Sequence, residues 1–212
     1  MAAMGRSSMS KFWGRAVELK TLLRALGCSA VYIMICGQAS KPTAVFQKEH
    51  IKVFVRAKSI RVEGLYTFAN PGSTLCKQAL FYPFPVDSLH PREDYVLVRS
   101  EGRVIPTKNA ENGVVFGVIV PASGTLPVEV IYEQACLDGS GCYILKSTAA
   151  WERPLEHASF EIHVPDELEL DWMAYEAGTM SNGKHERIYG FARDDFMPDK
   201  DLCMRWHVRA RP

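Results

Sequence analysis

From His50 to Val208 the chain alternates apolar and polar residues with a period of two rather than 3.6, and Gly, Pro, Asn and Asp interrupt it at short intervals. Successive side chains of a strand point to opposite faces, so each alternating run predicts a strand with one buried side and one wet side. Residues 51–56 and 60–68 alternate in this way, and Asn70-Pro71-Gly72-Ser73 turns the chain after the second run. A third strand is expected over 75–84, followed by a loop over 85–93. Tyr95-Val96-Leu97-Val98 leads through Glu101-Gly102 into Val104-Ile105, the layout of a hairpin. Strands over 114–120 and 128–133 complete about seven before Cys136, the number expected of an immunoglobulin-like sandwich.

The pattern continues over residues 142–148, 158–164, 168–175, 186–191 and 202–208, with turns at Arg153-Pro154, Pro165-Asp166, Ser181-Asn182-Gly183 and Met197-Pro198-Asp199. No long helix is expected after residue 45. The reading is therefore all-β: an immunoglobulin-like β-sandwich over 45–210, with two closely packed sandwich halves divided near 136–142 as the alternative. No linker composition separates the halves.

The N-terminus follows a different pattern. Arg6, Lys11, Arg15, Lys20 and Arg24 precede an uncharged, mostly apolar run over 25–37, which ends at Gln38. That is the layout of a signal peptide spanning 1–39. The run is well short of the roughly 20 apolar residues that cross a bilayer, so no transmembrane span is expected in the mature chain. Gly37 and Ala39 supply the small residues a signal peptidase reads. The protein is then secreted or periplasmic.

Composition sharpens this reading. The 212 residues are 47% hydrophobic and 23% charged, which is globular. Of 25 basic and 24 acidic residues, five and one lie in the first 39 positions, leaving 20 and 23, a net of −3. A mildly acidic body lacks the clustered Lys and Arg that grip phosphates, so nucleic acid is not an expected partner.

Removal of the signal leaves Cys76, Cys136, Cys142 and Cys203, an even number suited to an oxidising compartment. Cys136 and Cys142 flank the turn-rich Leu137-Asp138-Gly139-Ser140-Gly141, which suggests that they pair across a hairpin mouth, leaving Cys76 for Cys203. Their spacing is not that of a zinc ribbon.

No catalytic signature is present. Gly139-Ser140-Gly141 is a tight turn rather than a nucleophile elbow, and the six histidines are scattered without a metal-binding pair. Asp194, Asp195, Asp199 and Asp201 place four carboxylates in one stretch, the oxygen-rich composition calcium requires, although Arg193 and Lys200 oppose them. No other cofactor is expected. Aromatic residues supply a candidate binding surface at Tyr82, Phe84, Trp151 and Trp172, since exposed rings stack on sugars or anchor a protein partner.

The segments Leu65-Tyr66-Thr67-Phe68-Ala69-Asn70-Pro71 and Ala79-Leu80-Phe81-Tyr82-Pro83-Phe84-Pro85-Val86 resemble the opening of vault/inter-alpha-trypsin-type domains, where a Tyr-x-Phe-x-Asn strand precedes a strand with a Phe-Pro-x-Pro-like kink. Tyr143-Ile144-Leu145-Lys146-Ser147-Thr148 and Trp151-Glu152-Arg153-Pro154-Leu155 resemble uncharacterised exported bacterial proteins. These resemblances imply a β-sandwich and carry over no catalytic residue.

Together the features point to an exported non-enzymatic sandwich that binds a protein or glycan at the cell envelope through loops or a sheet edge rather than a deep pocket. The competing class is a carbohydrate-binding module or an envelope hydrolase whose site is assembled from distant strands. Intact-mass analysis of the exported protein should find Ser40 or a near neighbour as the first residue; a full-length chain retained in the cytoplasm would contradict the export assignment.

Overall fold

A computed structural model describes residues 44–93 and 95–210, so the signal segment lies outside the described residues. In chain order the strands are β1 (Val45–Arg56), β2 (Ser59–Asn70), β3 (Cys76–Pro83), β4 (Tyr95–Ser100), β5 (Arg103–Val104), β6 (Thr107–Ala110) and β7 (Gly113–Val120). They continue with β8 (Gly124–Ala135), β9 (Ser140–Tyr143), β10 (Leu155–Pro165), β11 (Leu168–Met173), β12 (Thr179–Asn182), β13 (Glu186–Phe196) and β14 (Leu202–Val208). A 3-10 helix, Lys146–Trp151, is the one helical element among the described residues. No helix there is long and apolar enough to cross a membrane. The protein is all-β.

Eight strands form one sheet in the order β12-β13-β10-β1-β2-β8-β4-β5, and two three-stranded sheets, β11-β14-β9 and β3-β7-β6, complete the fold. The alternation seen in the sequence becomes the two faces of the large sheet. Val53 lies opposite Val62 on one side and Ile162 on the other, so Ile51, Val53, Val55, Ile60, Val62, Val128, Val130, Phe160 and Ile162 share its inner face. All are buried, at a gain of about 1.5–3 kcal/mol for each large apolar side chain. Leu80, Phe116 and Val118 from one small sheet, and Leu202, Met204 and Trp206 from the other, join the same core. The opposite face carries ion pairs such as Lys52–Glu161, Arg61–Glu63 and Arg56–Glu133, half-exposed contacts that add little stability.

The large sheet crosses the point at which two halves were conceivable. β1 pairs antiparallel with β2 and parallel with β10, so the first strand is flanked by strands from both parts of the chain. The Glu101-Gly102 turn is a tight hairpin, with φ of 50° and 75° at the two residues.

Several elements differ from expectation. Residues 142–148 are not one strand: β9 ends at Tyr143, and the Asp201 carboxylate accepts the backbone N–H groups of Leu145 and Lys146, turning the chain into the 3-10 helix. β13 runs on to Phe196, so Asp194 and Asp195 belong to a strand paired with β10 rather than to a loop. β6 and β12 lack a buried stripe and gave no periodic signal.

The disulfide also differs. Cys142 bonds to Cys203, while Cys76 and Cys136 are free, buried thiols. Cys142 and Cys203 are register partners on β9 and β14, with Cα atoms 4.0 Å apart. Cys136 follows the end of β8 in the large sheet, so the turn after it carries Cys142 into a different layer. Burial pushes the Cys136 thiol up to about 12. Non-reducing peptide mapping should recover a Cys142–Cys203 peptide, with Cys76 and Cys136 alkylated only after denaturation; a Cys136–Cys142 peptide would refute this pairing.

Candidate functional site

Alternation in β1 would expose residue 49 if it ran unbroken from Phe46. A bulge between Phe46 and Lys48 shifts the register by one residue, so Phe46, Glu49, Ile51 and Val53 all face inward. Glu49 is thereby placed in the core, 3% exposed, opposite Tyr66 on β2 and Ala158 on β10. Gly64, two residues before Tyr66 on the same face, leaves space for the phenol to lean back along the strand. A Cβ at Gly64 would lie 2.2 Å from the Tyr66 Oη.

Three phenols from three sheets converge on this carboxyl. Tyr143 at the end of β9 donates to Glu49 Oε2 at 3.1 Å. Its hydroxyl is 2.9 Å from that of Tyr66, which is 2.8 Å from that of Tyr82 on β3. Each phenol has one proton, so with Tyr143 donating to Glu49, Tyr66 donates to Tyr143 and Tyr82 to Tyr66. The other carboxyl oxygen, Glu49 Oε1, is buried with no hydrogen-bond partner among the described residues. Burial raises the Glu49 pKa to about 8 against the opposing effect of the Tyr143 hydrogen bond. Burial holds the Tyr66, Tyr82 and Tyr143 phenols well above the usual range, so they stay protonated.

Glu49 lines a cavity of about 70 Å³ between the large sheet and the elements that cover it. Phe46 and Phe68 come from the large sheet, Leu80, Tyr82 and Phe116 from a small one, and Ser147, Thr148 and Trp151 from the 3-10 helix. Phe46, Phe68 and Trp151 form a three-ring wall with centroids 5.4–5.8 Å apart. A mostly apolar cavity with a few converging polar groups is the usual form of a small-molecule site.

The sequence-derived candidates are dispersed. Tyr82 and Trp151 meet at this cavity. Phe84 is 1% exposed and packs against Tyr82 and Tyr132, supporting the site from behind. Trp172, 55% exposed on β11, does not line the cavity. The loop from Pro85 to Pro91 is held by Gln134 Nε2, which donates to both proline carbonyls, and by His90 against the Ser140 carbonyl.

Asp194 and Asp195 lie on β13, and Asp199 and Asp201 in the stretch before β14. Asp194 lies 2.7 Å from His157 Nδ1, Asp195 sits at a φ of 48°, and Asp201 caps the 3-10 helix. Among the described residues, no group of three or more His, Cys, Asp or Glu is placed to hold a metal ion. Sequence reasoning missed Glu49, Tyr66 and Tyr143. Extending the inward parity of Val55, Val53 and Ile51 back by one step would have found Glu49 as a carboxyl on the buried face.

No known protein family matches the sequence, and no curated protein does. Among solved structures, the chain is similar to a proposed nutrient-binding protein of Legionella pneumophila, with a TM-score of 0.64 and 16% identity over 79% of this chain and 68% of that one. It is also similar to an M1 zinc metallopeptidase of Deinococcus radiodurans bound to a Tyr-Ser-Ala substrate, with a TM-score of 0.50 and 10% identity over 78% of this chain. There it spans only 42% of the metallopeptidase chain. At these identities the likeness is one of fold.

The buried carboxyl sets a pH dependence of stability. An unfolded Glu loses its proton near its ordinary value of 4.5, whereas folded Glu49 keeps it to about 8. The folded state therefore binds the extra proton between these values, and stability falls as pH rises, by up to about 1.4 kcal/mol per pH unit. In urea titrations from pH 5 to 8, Glu49→Gln should remove this loss and be the more stable chain at pH 8. Parallel curves for the two proteins would show that Glu49 does not titrate in this way.

Proposed function

We propose that this chain is an exported, non-enzymatic binding protein of the cell envelope that holds a small solute in the aromatic cavity over Glu49. The observation that carries this reading is a buried carboxyl oxygen without a partner in the wall of a cavity. An unsatisfied buried acceptor costs about 1–3 kcal/mol, more when charged, and a ligand that supplies a donor recovers it. The site thus lies in a pocket rather than at a loop or sheet edge. The Cys142–Cys203 disulfide suits an oxidising compartment, in keeping with the N-terminal signal pattern. The resemblance in fold to a proposed nutrient-binding protein supports the same class.

The rival reading, a sugar module or hydrolase, calls for a pocket that gathers Trp151 or Trp172 with at least two carboxylates. Here Trp151 meets a single one, Glu49. Differential scanning fluorimetry against a panel of amino acids, short peptides, amines, sugars and carboxylates tests the reading. At 100 times its Kd a ligand stabilises by about 2.7 kcal/mol, a rise of several degrees for a body of this size. At least one panel member should produce that rise, and Trp151→Ala, measured against its own unliganded Tm, should lose it. A panel without any such member would overturn the pocket reading.

A further inference from the structure

Resting on the pocket reading, we infer that the solute class recognised here is a primary ammonium on a short apolar body, its head on Glu49 and its body against the aromatic wall. The head is specified by what the protein leaves unmade. Glu49 Oε2 already accepts the Tyr143 proton, so a single carboxyl oxygen, Oε1, awaits a donor. A guanidinium presents a planar fork that is best matched by two free carboxylate oxygens, whereas an ammonium needs one. Its remaining N–H groups find acceptors in the phenol oxygens beside Glu49, each of which has lone-pair capacity beyond the relay.

The rest of the cavity fits the rest of such a molecule. Phe46, Phe68 and Trp151 offer ring faces that attract a cation as well as its hydrocarbon. A carboxylate ligand would set like charge beside Glu49. A sugar carries hydroxyls all round its ring and would set some of them against the Phe46, Phe68, Phe116 and Trp151 side of the wall, away from the Glu49, Tyr, Ser147 and Thr148 groups. A volume of about 70 Å³ limits the buried part to a few heavy atoms.

Binding of this head is coupled to a proton. Among the described residues no Lys, Arg or His lines the cavity; the titratable groups facing Glu49 are the phenols of Tyr66 on β2, Tyr82 on β3 and Tyr143 on β9, all raised by burial, with the Tyr175 phenol interacting from outside the lining. Glu49 is therefore the group that titrates near neutrality, and the incoming cation drives off its proton. An alkylammonium keeps its own charge until about pH 10, as a lysine does.

Isothermal titration of the mature protein with n-butylammonium, n-butanol and butyrate tests the class, because the three share a tail and differ in the head. At pH 8.5, butylammonium should bind at least tenfold more tightly than either of the others. Its affinity should rise close to tenfold from pH 6.5 to 7.5 and level off above 8. Glu49→Gln, checked for folding by circular dichroism, should weaken butylammonium at least tenfold more than it weakens butanol. Equal or tighter binding of butanol or butyrate that is lost in Trp151→Ala would overturn the ammonium class while leaving the pocket intact. Butylammonium binding indifferent to Glu49→Gln, or absent, would also overturn it, and the pocket itself then stands or falls with the solute panel.

Discussion

The carboxyl of Glu49 and the phenols of Tyr143, Tyr66 and Tyr82 form one hydrogen-bonded relay with a member from each of the three sheets. A buried charge-bearing group is tolerated only when its surroundings supply donors, and those donors cannot come from one strand. Each hydrogen bond contributes about 1 kcal/mol net, but losing one strands its partner in the core at a larger cost. The relay therefore ties the placement of both small sheets to a single residue of the large one. It also explains Gly64, whose missing side chain is the space that the Tyr66 phenol occupies.

Around that relay the fold divides its tasks. The inner face of the large sheet away from Glu49 is dry and aliphatic, from Ile51 to Val55 on β1 and from Ile60 to Val62 on β2, and it supplies the stability. At the Glu49 end, aliphatic side chains give way to rings that meet at angles and leave a void. A filled core would be more stable than one holding a cavity beside an unpaired oxygen, so the arrangement has the form of stability traded for a binding site. The 3-10 helix that closes the cavity is fixed at its start by Asp201, and the Cys142–Cys203 bridge ties β9 to β14 just before it. Asp201 thus acts on the site through the backbone that it caps.

Likeness to a proposed nutrient-binding protein and to part of a metallopeptidase shows that one all-β framework serves different proteins. Framework alone does not transfer a ligand. In this chain four side chains at the seam between sheets, Glu49, Tyr66, Tyr82 and Tyr143, supply the chemistry from which a small cationic solute is proposed.

The all-β class, most of the strands, the Glu101-Gly102 turn and the acidic balance of the body were legible in the sequence, because alternation and turn residues act over a few neighbours. β14 was read at its observed bounds for that reason, and Tyr82 and Trp151 stood out by residue type alone. The partner of Cys142, the parallel pairing of β1 with β10 and the division of the strands among three sheets depend on which distant segments meet, which spacing along the chain does not encode. The site belongs to that second group. Glu49 has the inward parity of Ile51 and Val53, but neither the one-residue bulge that brings Phe46 onto the same face nor the phenols that meet the carboxyl can be read from β1 alone, because both depend on pairing with distant strands. Local periodicity determined which faces would be buried, the carboxyl of Glu49 among them; only the tertiary structure decided which groups would surround it, because they come from strands far apart in the chain.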